Sequence, residues 1–184
     1  MNAPILIIHN QINTDAFRGL VGFLNENSGP VTIYLSSGGG DEHIMCCMIS
    51  VMNSRIDDIT LIGSGHLGSC AFNMFFLYWG KRELLKSVMG MCHLARVEVE
   101  MSEKGKMYYP QDYAMKQYIT KFASETTLDV LRIIGATKKE IKKVMRGDEV
   151  YFLPDRIQEL LDHSVAHYKQ LQPPWIAEEE KQTQ

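Results

Sequence analysis

Two apolar runs of different character meet at a glycine-rich joint in this chain, and that joint limits the folds open to it. Ile59-Thr60-Leu61-Ile62 reads as a buried strand, while Ala71 to Trp79 carries no charge and reads as a buried helix. Between them lies Gly63-Ser64-Gly65-His66-Leu67-Gly68-Ser69-Cys70. The same order occurs upstream. The strand-like Val31-Thr32-Ile33-Tyr34-Leu35 ends in Ser36-Ser37-Gly38-Gly39-Gly40, and a helical segment rich in Ile, Met and Cys follows from about Asp41 to Met52. Successive strand–glycine–helix units predict an α/β fold with parallel strands. The C-terminal ends of such strands share one crevice, where sites in these folds lie.

A serine on a strand-to-helix turn has two readings. Taken alone, Ser69 is more often the capping residue of a tight turn, because a hydroxyl at the N-cap satisfies a free helix amide. The alternative is a nucleophile, with small neighbours admitting a substrate backbone and free amides at the helix start stabilising negative charge. The upstream glycines favour the second reading. Amides of Gly39 and Gly40 facing the serine, together with that of Cys70, would form an oxyanion hole. A phosphate-binding loop is the rival, but no Gly-Lys-Ser/Thr follows either cluster and no GxGxxG fits.

The chain's 184 residues suit one well-buried domain, expected over 1–172, with a polar, proline-initiated tail over 173–184. A net charge of −3, without a basic patch interleaved with aromatics, gives no reason to expect nucleic acid. Cys46, Cys47, Cys70 and Cys92 lie in or beside apolar segments with no metal-ligand spacing, so reduced thiols in a cytoplasmic protein are expected, with no metal or other cofactor. The N-terminus lacks a basic region before its short apolar run, and the uncharged stretch Ile59 to Gly80 is broken by glycines and His66; neither a signal peptide nor a membrane span is expected.

Along the rest of the chain, Ile5 to Ile8 reads as a strand and Thr14 to Leu24 as an amphipathic helix with Phe17, Leu20, Val21 and Leu24 on one face. Gly80-Lys81-Arg82 is expected to close the apolar helix, whose residues Phe72 to Trp79, like Met45 to Met52, are expected in the core. A β-like region reaches His93, and Arg96 to Tyr109 is expected to be a hairpin or arm. Pro110 opens a helix to about Ile134, Thr137-Lys138-Lys139-Glu140 is a capping-box start for a helix to Met145, and Pro154 suits the first position of a last helix to about Leu171.

A serine nucleophile needs a base, and six histidines compete: His9, His43, His66, His93, His163 and His167. His93 ends a strand-like run, a place from which a side chain projects into a crevice. His163 and His167 read as solvated surface without a third metal ligand. Patterning does not choose the acid.

The ordered set Tyr34-Leu35-Ser36-Ser37-Gly38-Gly39-Gly40, Gly65-His66-Leu67-Gly68-Ser69-Cys70, Gly80-Lys81-Arg82 and Met91-Cys92-His93 resembles the proteolytic subunit of the Clp protease. That family carries an Asn-Ser-Pro-Gly-Gly turn, a Gly-x-Ala-Ala-Ser-Met nucleophile turn, a Gly-Lys-Arg and a Met-Ile-His in this order. The resemblance runs through Gly135, Ile141 and Asp148 and spans roughly Ile5 to Asp162. Departures include Gly38 for the proline, Leu67-Gly68 for two alanines, Cys70 for methionine and Gly147 for an arginine.

The resemblance implies a Clp peptidase and crotonase-like α/β spiral of ββα units, with the helix after Pro110 as a protruding handle between subunits. It implies a serine endopeptidase with Ser69 as nucleophile, His93 as general base, Asp148 as orienting acid, and the amides of Gly40 and Cys70 as oxyanion hole. Substrates would be peptides or unfolded proteins, and the assembly a homo-oligomeric ring. Beginning almost at the first strand, without the axial segment the family uses with its unfoldase, the chain is not expected to dock a Clp-type ATPase conventionally. Two rival readings are a non-catalytic ring subunit or scaffold and a crotonase-like acyl-CoA enzyme; the latter normally lacks such a serine, histidine and acid.

Overall fold

The computed structural model describes residues 3–95 and 110–171, side chains excepted at 110–116, 119 and 169–171. The arm expected over 96–109 and the tail expected over 173–184 lie outside the described residues.

The fold is α/β. Strands β1 (Ile5–Ile8), β2 (Val31–Ser37) and β3 (Ile59–Gly68) run parallel, with Ile5 opposite Thr32 and Val31 opposite Ile59. In β2, Val31, Ile33, Leu35 and Ser37 are buried while the residues between them are half-buried, the period of two that a sheet imposes. Helix α1 (Thr14–Glu26) joins β1 to β2, and α2 (Glu42–Asn53) joins β2 to β3. Each starts at a side-chain cap: Asn13 accepts from the Ala16 amide, and Asp41 from those of His43 and Ile44. Leu20 and Leu24 of α1, and Met45, Met48, Ile49 and Met52 of α2, are buried.

β3 is longer than the sequence suggests. The glycine-rich stretch is not a turn but continues the strand as far as Gly68. Its register with β2 slips between Leu35 and Ser37, and the bend has a visible cause. Gly65 takes φ +60°, and an added Cβ there would lie 2.8 Å from the Ser36 hydroxyl, which receives the His66 amide at 3.3 Å. The bend gives β3 different partners along its length. Thr60–Gly63 pairs β4 (Lys81–Leu84), whereas His66–Gly68 pairs β5 (Met89–Cys92), both parallel. β6 (Val150–Phe152), a strand not anticipated in the sequence, closes the six-stranded sheet antiparallel to β5.

Helix α3 (Cys70–Leu77) leaves the end of β3 into the core, with every residue from Cys70 to Phe76 buried. Phe72 stacks on Phe152 at 5.2 Å and Phe75 meets Phe76 edge-on at 5.3 Å. Lys81 and Arg82 do not end this helix; they belong to β4. The buried Arg82 nonetheless serves the helix terminus by donating to the Phe76 carbonyl at 3.1 Å and to Ser164 Oγ at 3.0 Å, beneath the Tyr168 ring. Burial lowers its guanidinium to about 10. Trp79, expected in the core, is 60% exposed.

The chain then forms α4 (Pro110–Ile133), α5 (Lys138–Met145) and α6 (Pro154–Leu171). Gly135 takes φ +74° after α4, and the Thr137–Glu140 capping box at α5 is fully formed. No helix among the described residues is long and apolar enough to cross a membrane.

Candidate active site

With β3 ending at Gly68 and α3 beginning at Cys70, the strand-to-helix turn is a single residue, Ser69. Its φ of 53° and ψ of −125° make it the sole non-glycine residue with positive φ among those described. Such a conformation costs about 1–3 kcal/mol and persists only where the surroundings enforce it. Here the Ser69 amide donates to the Met91 carbonyl of β5 at 2.8 Å, while its carbonyl accepts from Phe72 and Asn73 at 3.0 and 3.2 Å. The side chain makes no capping hydrogen bond, so the ordinary reading of this serine as a cap does not hold.

The glycine turn after β2 packs against it. A Cβ on Gly39 would lie 2.7 Å from Ser69 Cβ and 3.2 Å from the Cys70 nitrogen, so only glycine brings the two turns this close. Ile12 clamps the turn on its other side, donating to the Gly39 carbonyl at 2.9 Å and accepting from the Asp41 amide at 2.8 Å. The Gly39 amide is taken by the buried Ser37 hydroxyl at 3.1 Å. Of the two glycine amides expected to face the serine, that leaves Gly40. Its amide, like that of Cys70, lies near enough to the buried Cys70 thiol to favour the thiolate. Burial pushes the Cys70 thiol well up, Glu42 and Asp41 add to the rise, and the two amides oppose it.

His93 follows β5 and lines the same crevice of about 540 Å³ as Gly40 and Ser69, with Thr120, Ala123 and Thr127 of α4 opposite. Of the six histidines it is the one that lines this crevice. Its Nδ1 lies 2.6 Å from the Leu94 carbonyl oxygen. A carbonyl can only accept, so the proton of this bond sits on Nδ1; in the neutral ring that leaves the lone pair on Nε2, the tautomer a general base requires.

Asp148 neither lines the crevice nor bonds to His93; its partner is Arg146. The β5–β6 pairing sets Cys92 opposite Val150, and Asp148 precedes that strand with its amide on the Lys143 carbonyl at 3.2 Å. Its carboxylate is half-exposed and paired with Arg146 at 3.3 Å. No hydrogen bond joins Ser69 to His93 or His93 to Asp148 among the described residues.

Sequence reasoning missed the acidic side of the crevice and the buried amide behind it. Glu42, at the start of α2, lines it together with Asp41 and Thr127. The buried amide of Asn73, on α3, donates to Glu42 Oε1 at 3.1 Å and Thr127 Oγ1 at 2.8 Å. The signal was present: Asn73 is the one amide side chain in the uncharged run from Ala71 to Trp79. Asp41 and Glu42, by contrast, look like ordinary acids at a helix start.

Burial raises the Glu42 carboxyl from its ordinary 4.5 to about 7; the Asn73 bond opposes the rise and Asp41 adds to it. A folded-state value above the unfolded one means that the contribution to stability is complete below about 4.5 and is lost as pH rises through about 7. Relative to Glu42→Gln, the wild type is therefore expected to lose stability between about pH 5 and about pH 8, as urea denaturation at both values would measure.

No group of His, Cys, Asp and Glu able to hold a metal ion exists among the described residues. No family model matches the chain, and no curated protein is similar enough to be counted as its relative.

Proposed function

We propose that the protein is a serine endopeptidase that cleaves peptide bonds through an acyl-enzyme on Ser69. The observation that carries this reading is the strained, uncapped Ser69 in one crevice with a histidine whose Nδ1 is already engaged. His93 Nε2 takes the hydroxyl proton as Ser69 attacks the peptide carbonyl. The oxyanion forms against the Gly40 and Cys70 amides, which it wins from a thiol because sulfur is the weaker acceptor. His93 then protonates the leaving amine, and water releases the acyl group by the reverse proton route.

The reading includes a Clp peptidase type of spiral and assembly as a homo-oligomeric ring. The parallel β2 and β3 leading into the buried α3 are compatible with a ββα unit. The resemblance would have Asp148 orient His93; in this reading the Leu94 carbonyl, 2.6 Å from Nδ1, takes that task. Replacing His93 with alanine is expected to lower kcat on quenched peptides by about 10⁴-fold or more. Asp148→Asn is expected to cost less than about 10-fold, because the carbonyl already fixes the tautomer; a direct Asp148 contact would make that loss about 10⁴-fold.

A second reading, a non-catalytic ring subunit, is favoured by one observation: the Asp148 carboxylate is engaged by Arg146 rather than by the histidine. Hydrolysis of a quenched-peptide library by wild type and by His93→Ala separates the two. Turnover that the variant loses supports the peptidase, and equal inertness of both supports the non-catalytic subunit.

A further inference from the structure

The crevice that holds Ser69 is acidic on one wall. Asp41 and Glu42 line it beside Gly40, and no Lys or Arg does among the described residues. Glu42 follows the glycine assigned to the oxyanion hole by two positions and lines the same crevice as Gly40 and Ser69.

Accounting for donors and acceptors narrows what fits. Asn73 is 1% exposed, and its nitrogen donates to both Glu42 Oε1 and Thr127 Oγ1. Thr127 spends its own hydroxyl proton on the Ala123 carbonyl at 3.1 Å, so it can only accept from Asn73. That fixes the amide's orientation, and the Asn73 Oδ1 oxygen is left buried without a partner beneath the crevice wall. The wall therefore offers the Glu42 and Asp41 carboxylates as acceptors, with a buried, unpaired carbonyl oxygen behind them. An ammonium brings three donors and a guanidinium five, and neither brings an acceptor. An apolar side chain would leave the wall unpaired, and an acidic one would be repelled.

We infer that this crevice selects a lysine or arginine side chain adjoining the scissile bond, with the Glu42 carboxylate as its principal partner and Asp41 supporting it. The inference names the substrate class of the proposed peptidase and rests on that reading. A cation beside Glu42 also restores the charge that burial disfavours there.

The test uses the full chain and four peptidyl diphenyl phosphonates that differ only in the residue bearing the phosphorus: Lys, Arg, Leu or Glu. A small uncharged fluorophosphonate serves as a fifth probe. Lys and Arg probes are expected to label Ser69 at least about 100-fold faster than the Leu probe, the scale on which a polar site rejects a group that cannot pair with it. Glu42→Gln should cut the Lys-to-Leu ratio at least about 10-fold, and Glu42→Lys should move the preference toward the Glu probe. The glutamine carbonyl can still accept from Asn73, so the first variant is expected to fold, which its thermal melt checks.

Fluorophosphonate labelling together with a fastest Leu probe, or with a Lys-to-Leu ratio that Glu42→Gln leaves unmoved, overturns the specificity and leaves the peptidase reading standing. A wild type that none of the five probes labels overturns both.

Discussion

Ser69→Ala is expected to lower peptide hydrolysis on the order of 10⁶-fold while leaving the fold intact. The loss is large because the hydroxyl is the sole group the reaction would consume and no neighbour can replace it. The adjacent Cys70 thiol is buried, and burial with nearby carboxylates holds it far from a thiolate. Integrity follows from the backbone: the bonds that fix the turn run from the Ser69 amide to Met91 and from its carbonyl to Phe72 and Asn73, and alanine keeps all of them. Alanine also keeps the positive φ and its strain. Ser69→Gly relieves that strain, so it should be equally inactive yet more stable than Ser69→Ala by about 1 kcal/mol, read from urea midpoints. A glycine variant more stable than the alanine one would mark a turn held under backbone strain.

Gly40→Ala is expected to cost both stability and turnover. Gly40 sits at φ +150°, and a Cβ there would overlap the Ile12 carbonyl oxygen and lie 2.8 Å from the Ile12 nitrogen. Those are backbone atoms in the bonds that clamp the glycine turn, so relief requires the turn to leave Ile12. Backbone strain with the loss of two backbone hydrogen bonds amounts to about 3–5 kcal/mol. The shifted amide would also leave the oxyanion position, where one lost donor costs about 10²–10³ in kcat. Gly38→Ala is the control. Nothing lies within 4 Å of its Cβ position and its φ is not positive, so it should change stability by less than about 0.5 kcal/mol.

The parallel strands and their helices were legible in the sequence because each carries a local signal. β1 was anticipated at its observed limits, α5 begins at its capping box, and α3 is buried all round, as its lack of charge required. Errors arose where tertiary pairing overrode local chemistry. Glycines mark turns in isolation, yet Gly63–Gly68 is a strand because β2 and β5 flank it. Lys81 and Arg82 resembled a helix end, but pairing with β3 makes them a strand. β6 is only three residues long, too short for a periodic signal.

At the site, Ser69, His93 and Gly40, picked out by motif order, line one crevice. The Leu94 carbonyl on His93 was not readable, since a backbone acceptor leaves no trace in residue identity. Neither was the Glu42–Asn73–Thr127 link, whose members lie 31 and 54 positions apart along the chain.

Intact-mass spectrometry after fluorophosphonate treatment of wild type, Ser69→Ala and His93→Ala tests the central claim most directly. An activated serine in an assembled crevice predicts one adduct on the wild type that disappears in both variants. An adduct that persists in Ser69→Ala, or a wild type that never acquires one, would contradict it.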